Sequence, residues 1–310
     1  MTAKTATLKS YKDPFLQFIY NLQDKICHAL VSEDPECILT EDIWERPEGG
    51  GGRTRAIGKG TVFENGGVNI SSVHGQLPSS MIQYLETEHH NFFACGISLI
   101  IHPLNPFVPT VHANYRYFEL YDADGLLVDQ WFGGGSDITP YYLYKDDVAY
   151  FHKTNFEVCN RFDASLYPRF KKNCDEYFFN HHRGEARGAG GLFFDRLRGD
   201  ENKDAEFWYA FVTSCGQAFV DSYLPIVRKR KSESYTDLHK FWQEIRRGRY
   251  VEFNLIHDKG TLFGLKTNGR VESILMSLPA TVRWEYNYRP EPGSREAELL
   301  EILKTPVNWI

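Results

Sequence analysis

Residues 92–121 read FFACGISLIIHPLNPFVPTVHANYRYFELY. Two runs of β-branched and aromatic residues flank a stretch broken by Pro103, Pro106 and Pro109. Each proline fixes φ and removes a ladder donor, so 103–110 is predicted as a rigid extended loop at the end of a strand over 92–101. The loop delivers His112 to Arg116 to the start of the next strand, predicted over 114–121. Side chains alternate between the faces of a strand, which puts His112, Asn114 and Arg116 on one side and Ala113, Tyr115 and Tyr117 on the other. An imidazole, an amide and a guanidinium in a row suit a polar ligand that carries carboxylates. A solvated polar face is the plain alternative.

Working outward, Phe15, Phe18, Ile19, Leu22, Ile26 and Leu30 recur at helical spacing and predict an amphipathic first helix over 13–31. PEGGGGRTR (47–55) is expected to be a glycine loop, and the run 56–75 two strands turning at Asn65-Gly66. A further strand is expected over 126–132, then helices near 140–162, 167–182, 204–230 and 235–247. YVEFNL, TLFGLK and ESILMSL predict a closing antiparallel meander over 250–256, 261–266 and 272–278, before a last helix at 294–304. Strands, then helices, then strands point to the α+β class: a large, flat, mainly antiparallel sheet covered by α-helices on both faces. No repeat or linker divides the chain, so one domain over 1–310 is expected, with 1–11 a flexible N-terminal segment.

A net charge of −6 and the lack of any module signature argue against nucleic-acid binding, despite RRGR at 246–249. Six scattered cysteines without a CxxC pair imply reduced thiols. The longest apolar run, 92–101, is too short to span a bilayer. No apolar signal core or arginine-rich transit segment is evident near the start, so a cytoplasmic protein is expected.

Three more stretches carry candidate chemistry. WFGGGSDITPYYL (131–143) combines three glycines, which allow close backbone approach, with Asp137, Thr139 and Pro140 in the order of a helix start; Asp137 is either a site carboxylate or a capping acid. HHRGEARGAGGLFFD (181–195) offers Arg183 and Arg187 as bidentate carboxylate partners or as surface ion pairs. Asp258 and Arg270 are expected at two tight turns, either as functional groups at sheet ends or as plain turn residues. The chain has neither a P-loop nor a Rossmann fingerprint.

Taken together, GGGGRTR, GVNISSVHG, the 96–119 stretch, WFGGGSDITPYYL, HHRGEARGAGGLFFD and RRGRYVEFNL with DKGTLFGLKTNGRVESILMSLP closely resemble oxygen-dependent coproporphyrinogen III oxidases, from about residue 12 onward. The resemblance implies oxidative decarboxylation of the ring A and B propionates of coproporphyrinogen III to vinyl groups, giving protoporphyrinogen IX, CO2 and H2O2 in haem biosynthesis. It implies O2 as co-substrate, no required cofactor, and a homodimer formed through residues near 49–55 and 250–285. It assigns His112 as proton donor and Ser98, Asn114, Tyr115, Arg116 and Asn268-Gly269-Arg270 as substrate contacts. Asp137 or Asp258 is expected as the carboxylate that takes a pyrrole proton, with Arg116 orienting a propionate. Some bacterial relatives are described as holding a divalent metal through histidines matching His102, His112, His152 and His182. Lys259 stands where the family usually has arginine, and Leu262 where it often has lysine. The rival readings are a non-catalytic tetrapyrrole carrier and a metal-dependent oxygenase using those four histidines.

Overall fold

The computed structural model describes residues 8–266 and 269–310. In chain order, α1 (Lys12–Glu33) leads into β1 (Ile38–Glu45), β2 (Gly50–Gly58), β3 (Phe63–Gln76) and a short α2 (Ser79–Leu85). Then come β4 (Asn91–Pro103), β5 (Thr110–Tyr121), β6 (Leu127–Thr139), α3 (Lys145–Phe162) and α4 (Leu166–Tyr177). A small hairpin of β7 (Phe179–Asn180) and β8 (Glu185–Ala186) precedes β9 (Gly191–Leu197). The chain finishes in α5 (Ala205–Gln217), α6 (Phe219–Arg230), α7 (Asp237–Ile256), α8 (Lys259–Lys266), α9 (Val271–Leu275) and α10 (Arg295–Leu303). Among the described residues, seven strands form one antiparallel sheet in the order β1-β2-β3-β4-β5-β6-β9. Helices lie on both of its faces, as expected for this α+β class.

One face is apolar. Phe15, Ile19, Leu22, Ile26 and Leu30 form the buried stripe of α1, which packs on β3 and β4. Ala113, Tyr115, Tyr117 and Phe132 meet α1 and α5 from the sheet side; the Tyr117 and Phe132 rings lie 4.8 Å apart, and each is 5.7 Å from that of Phe15. Burying each such side chain contributes about 1.5–3 kcal/mol. Of the segment expected to be flexible, residues 1–7 lie outside the described residues. Residues 10 and 11 are anchored: Ser10 Oγ bonds Glu119, and the Tyr11 amide donates to the Tyr117 hydroxyl at 3.0 Å.

Several expectations need correction. The glycines of 50–52 lie in β2, not in a loop, and a Cβ at Gly52 would overlap the Trp44 ring of β1. The hairpin turns at 59–62, not at Asn65-Gly66, because buried Asp34 accepts the amides of Thr61, Val62 and Phe63 and builds the turn there. Asp137 to Thr139 belong to β6, and the next helix starts at Lys145. The expected meander is helical: 250–256 completes α7, and α8 and α9 follow. Asp258 therefore caps α8, accepting the Thr261 amide at 2.7 Å, and Arg270 precedes α9.

Candidate active site

The second face of the sheet is lined with polar and small residues. The ladder registers place Asp42, Thr54, Asn69, Ser98, Asn114 and Gly135 in one cross-strand row. The adjacent row contains Ser71, Gly96, Arg116 and Gly133; on the other side lie Ile100, His112 and Asp137. Ser98 is exposed although it sits on the central strand, so this face is open there. Over β1–β3 it is covered by α9 and the residues after it: Asn69 Nδ2 donates to Ser273 O at 2.9 Å, Asn65 Nδ2 to Leu278 O at 2.8 Å, and Thr54 Oγ1 bonds Ser273 Oγ. Gly67 makes this contact possible, since a Cβ there would overlap Met276.

The polar alternation predicted from the sequence is present. Tyr115 faces the opposite side, fully buried, with its hydroxyl on Cys215 O at 3.2 Å, so its side chain is not a wall of the cleft. Arg116 is different: its side chain is 47% exposed and its nearest acid, Asp195, stands 3.6 Å away. Gly133 leaves room for it, because a Cβ there would come within 3.3 Å of Nη2. Asn114 makes no hydrogen bond to a described residue, and its Oδ1 is buried without a partner.

His112, Asp137 and Arg187 form the densest electrostatic feature. Asp137 is 2% exposed and Arg187 3%. Arg187 Nη2 donates to both Asp137 oxygens, at 2.8 and 2.7 Å, and His112 Nδ1 donates to Oδ1 at 2.8 Å. Burial pushes the Asp137 carboxyl up, but Arg187 and His112 more than offset it and hold the group below the usual carboxylate range. Arg187 is wedged over the rings of Phe178, Tyr250 and Phe253, at 3.9, 4.8 and 4.9 Å. Asp137 is thus enclosed and already paired with Arg187 and His112. It pairs with His112, whose side chain is 19% exposed and whose Nε2 makes no hydrogen bond to a described residue.

The remaining candidates have other hydrogen-bond partners. Asp258 is half-buried at the start of α8 and also accepts from the Tyr177 hydroxyl at 3.0 Å. Arg270 pairs with Asp42 at the β1 end of the floor; Gly269 N bonds Gly264 O, and Asn268 lies outside the described residues. The four histidines proposed as a metal set do not converge. His102 bonds Thr110 and Ser277 O, His112 bonds Asp137, His152 bonds Tyr167 and Ala189 O, and His182 bonds His257 and Glu252. Among the described residues no group of three or more candidate ligands could hold a metal ion. Arg183 binds Glu252 through two nitrogens and is not a ligand group. Sequence reasoning missed Asn69, Asp195 and the hub at Glu252; alternation along GVNISSVHG carried the signal for the first.

The Coproporphyrinogen III oxidase family model matches residues 14–309. The chain is 48% identical to the soybean (Glycine max) protein named oxygen-dependent coproporphyrinogen-III oxidase, chloroplastic, over 97% of this chain and 80% of that one. It is 46% identical to coproporphyrinogen-III oxidase 1, chloroplastic, of Arabidopsis thaliana, over 99% and 81%. It is 49% identical to the mitochondrial oxygen-dependent enzyme of Rattus norvegicus, over 94% and 67%. These names overturn the cytoplasmic placement expected from the sequence. Free thiols report a reducing compartment, not which one, and so could not separate cytosol from organelle. By the extent of these matches, the chain belongs to the coproporphyrinogen III oxidase family.

Proposed function

We propose that this chain carries out the oxygen-dependent oxidative decarboxylation of coproporphyrinogen III, in haem biosynthesis. The observation that carries the reading is the buried Arg187–Asp137 pair holding His112 at the edge of an open polar floor, four residues along β5 from the half-exposed Arg116. The substrate is a flexible, electron-rich macrocycle with pyrrole N–H donors inside and propionates outside. Arg116 takes a propionate, supplying position more than proton chemistry. Ser98 and Asn114 lie under the ring, and the Asn114 side-chain Oδ1, without a partner among the described residues, is left to pair with it.

For each propionate, the bond to the carboxyl carbon breaks and its electron pair forms the vinyl C=C as CO2 leaves. A hydride equivalent passes from the β-carbon to O2, and one proton completes H2O2. His112 is the group placed to move protons. Its Nε2 takes one from a pyrrole N–H, raising the ring's electron density toward O2, and passes it to the reduced oxygen, while a solvent proton restores the pyrrole N–H as CO2 leaves. Asp137 positions the imidazole, and Asp258 caps α8 at the margin. Chelated protein is expected to turn over, since the four histidines are committed to four separate hydrogen-bonded environments.

We also propose that the protein is a homodimer. The 250–285 segment presents Leu255, Ile256, Val271 and Trp284 to solvent, and the edge strand β1, more than residues 49–55, leaves Ile38, Leu39 and Ile43 exposed. Incubating the protein with coproporphyrinogen III in air and under argon tests the reaction. An oxidase consumes O2 and releases CO2 only in air; a carrier binds the ring in both and consumes nothing.

A further inference from the structure

We infer that Trp309 and His152 act together as a clamp that positions the Arg187–Asp137 pair, and so His112. The inference rests on the site reading above. Both side chains donate to one backbone oxygen: Ala189 O accepts from Trp309 Nε1 at 3.1 Å and from His152 Nε2 at 3.0 Å. The Tyr167 hydroxyl, 2.8 Å from His152 Nδ1, occupies the other nitrogen and sets the tautomer that donates from Nε2. The Trp309 ring also stacks on the imidazole, 6.2 Å away at 28°.

Ala189 is in the stretch that brackets Asp137. Its amide donates to Ile138 O at 2.9 Å, and Ile138 N donates to Gly190 O at 3.1 Å. Gly191 pairs with Asp137 in the ladder, and Arg187 lies two residues before the clamped carbonyl. The stretch includes glycines at 188, 190 and 191, with Gly190 at φ +84°, so its own backbone preferences fix it weakly. The donors on Ala189 O supply the missing constraint. The cavity beside the clamp, lined by Gly188, Ala189 and Trp309 among others, is only about 30 Å³, room for about one water, which fits a packing joint and not a ligand site.

The test is steady-state kinetics of the full chain on coproporphyrinogen III, with Trp309→Phe keeping the ring and removing the donor. The expected result is a kcat about ten-fold lower with KM unchanged, because small misplacement of a proton-transfer group is costly while Arg116 still binds substrate. In an Asp137→Asn background the same change adds nothing, since the element it positions is already lost. His152→Gln, which keeps a donor toward Ala189 O, retains most of the turnover that His152→Leu loses. An equal kcat loss in both backgrounds, or a KM that rises as the protein loses thermal stability, overturns the clamp. Wild-type protein inert toward the substrate overturns the underlying reading instead.

Discussion

Replacing Asp137 by Asn removes one charge and almost no volume, and its two effects are separable. In the folded protein Arg187 is enclosed, and among the described residues Asp137 is its only anionic partner within hydrogen-bond reach. Removing one partner of such a pair costs about 3–5 kcal/mol, because the other charge stays out of water. Asn254 Oδ1 at 3.1 Å and the three rings over the guanidinium keep the cost near the lower end, about 3 kcal/mol. For a chain of this size that is a fall in Tm of about 4–6 °C. The effect on kcat is larger, about 10²–10⁴-fold, because His112 loses the carboxylate that orients it. Differential scanning calorimetry and oxygen uptake read the two separately. The double substitution Asp137→Leu with Arg187→Met is expected to recover stability to within about 1 kcal/mol of wild type, because apolar replacement of a whole buried pair is often neutral, yet to remain inactive. Asp137→Asn with turnover within about three-fold of wild type and unchanged Tm would refute the reasoning.

Arg116→Ala is expected to raise KM about 10- to 100-fold, the worth of a charge-assisted bond to a carboxylate, with little change in Tm since the side chain is half exposed; initial rates against substrate concentration check it. Asp258→Asn keeps the cap on α8 and should leave both Tm and turnover near wild type, while a loss beyond 100-fold would restore Asp258 as the base. Burial holds His102 down to about 3 and His152 to about 4, so each is neutral when folded and takes up a proton on unfolding below about pH 6.5. Stability is therefore fully present above that pH and falls by about 1.4 kcal/mol per pH unit for each histidine toward pH 4, and denaturant titrations of wild type and His102→Gln should differ by one proton's slope.

Much of this was legible because alternation is a local signal. The placement of His112, Asn114 and Arg116 opposite Ala113, Tyr115 and Tyr117 follows from the pleat alone, and the α1 stripe from spacing alone. Short apolar runs are another matter. YVEFNL satisfies both a buried strand and the buried side of a helix, and its context in α7, where Tyr250, Val251, Phe253 and Asn254 are all buried, decides the outcome. Asn65-Gly66 failed as a turn signal because Asp34, some thirty residues earlier in sequence, builds the turn elsewhere; no window around 65 contains that information. The pairing of Asp137 with Arg187 was equally hidden. Both residues stood out by type, but it takes the β6–β9 ladder to bring Asp137 beside the stretch that carries Arg187.

A pinned, proton-depleted tetrapyrrole ring is proposed to react with O2 with no prosthetic group. Exhaustively chelated protein, verified metal-free and flavin-free, should be supplied aerobically with coproporphyrinogen III while CO2 release and O2 uptake are followed. The account predicts one CO2 released per O2 consumed, at a rate unchanged by added iron or copper. Protein that stays inert until a metal or flavin is added would contradict it.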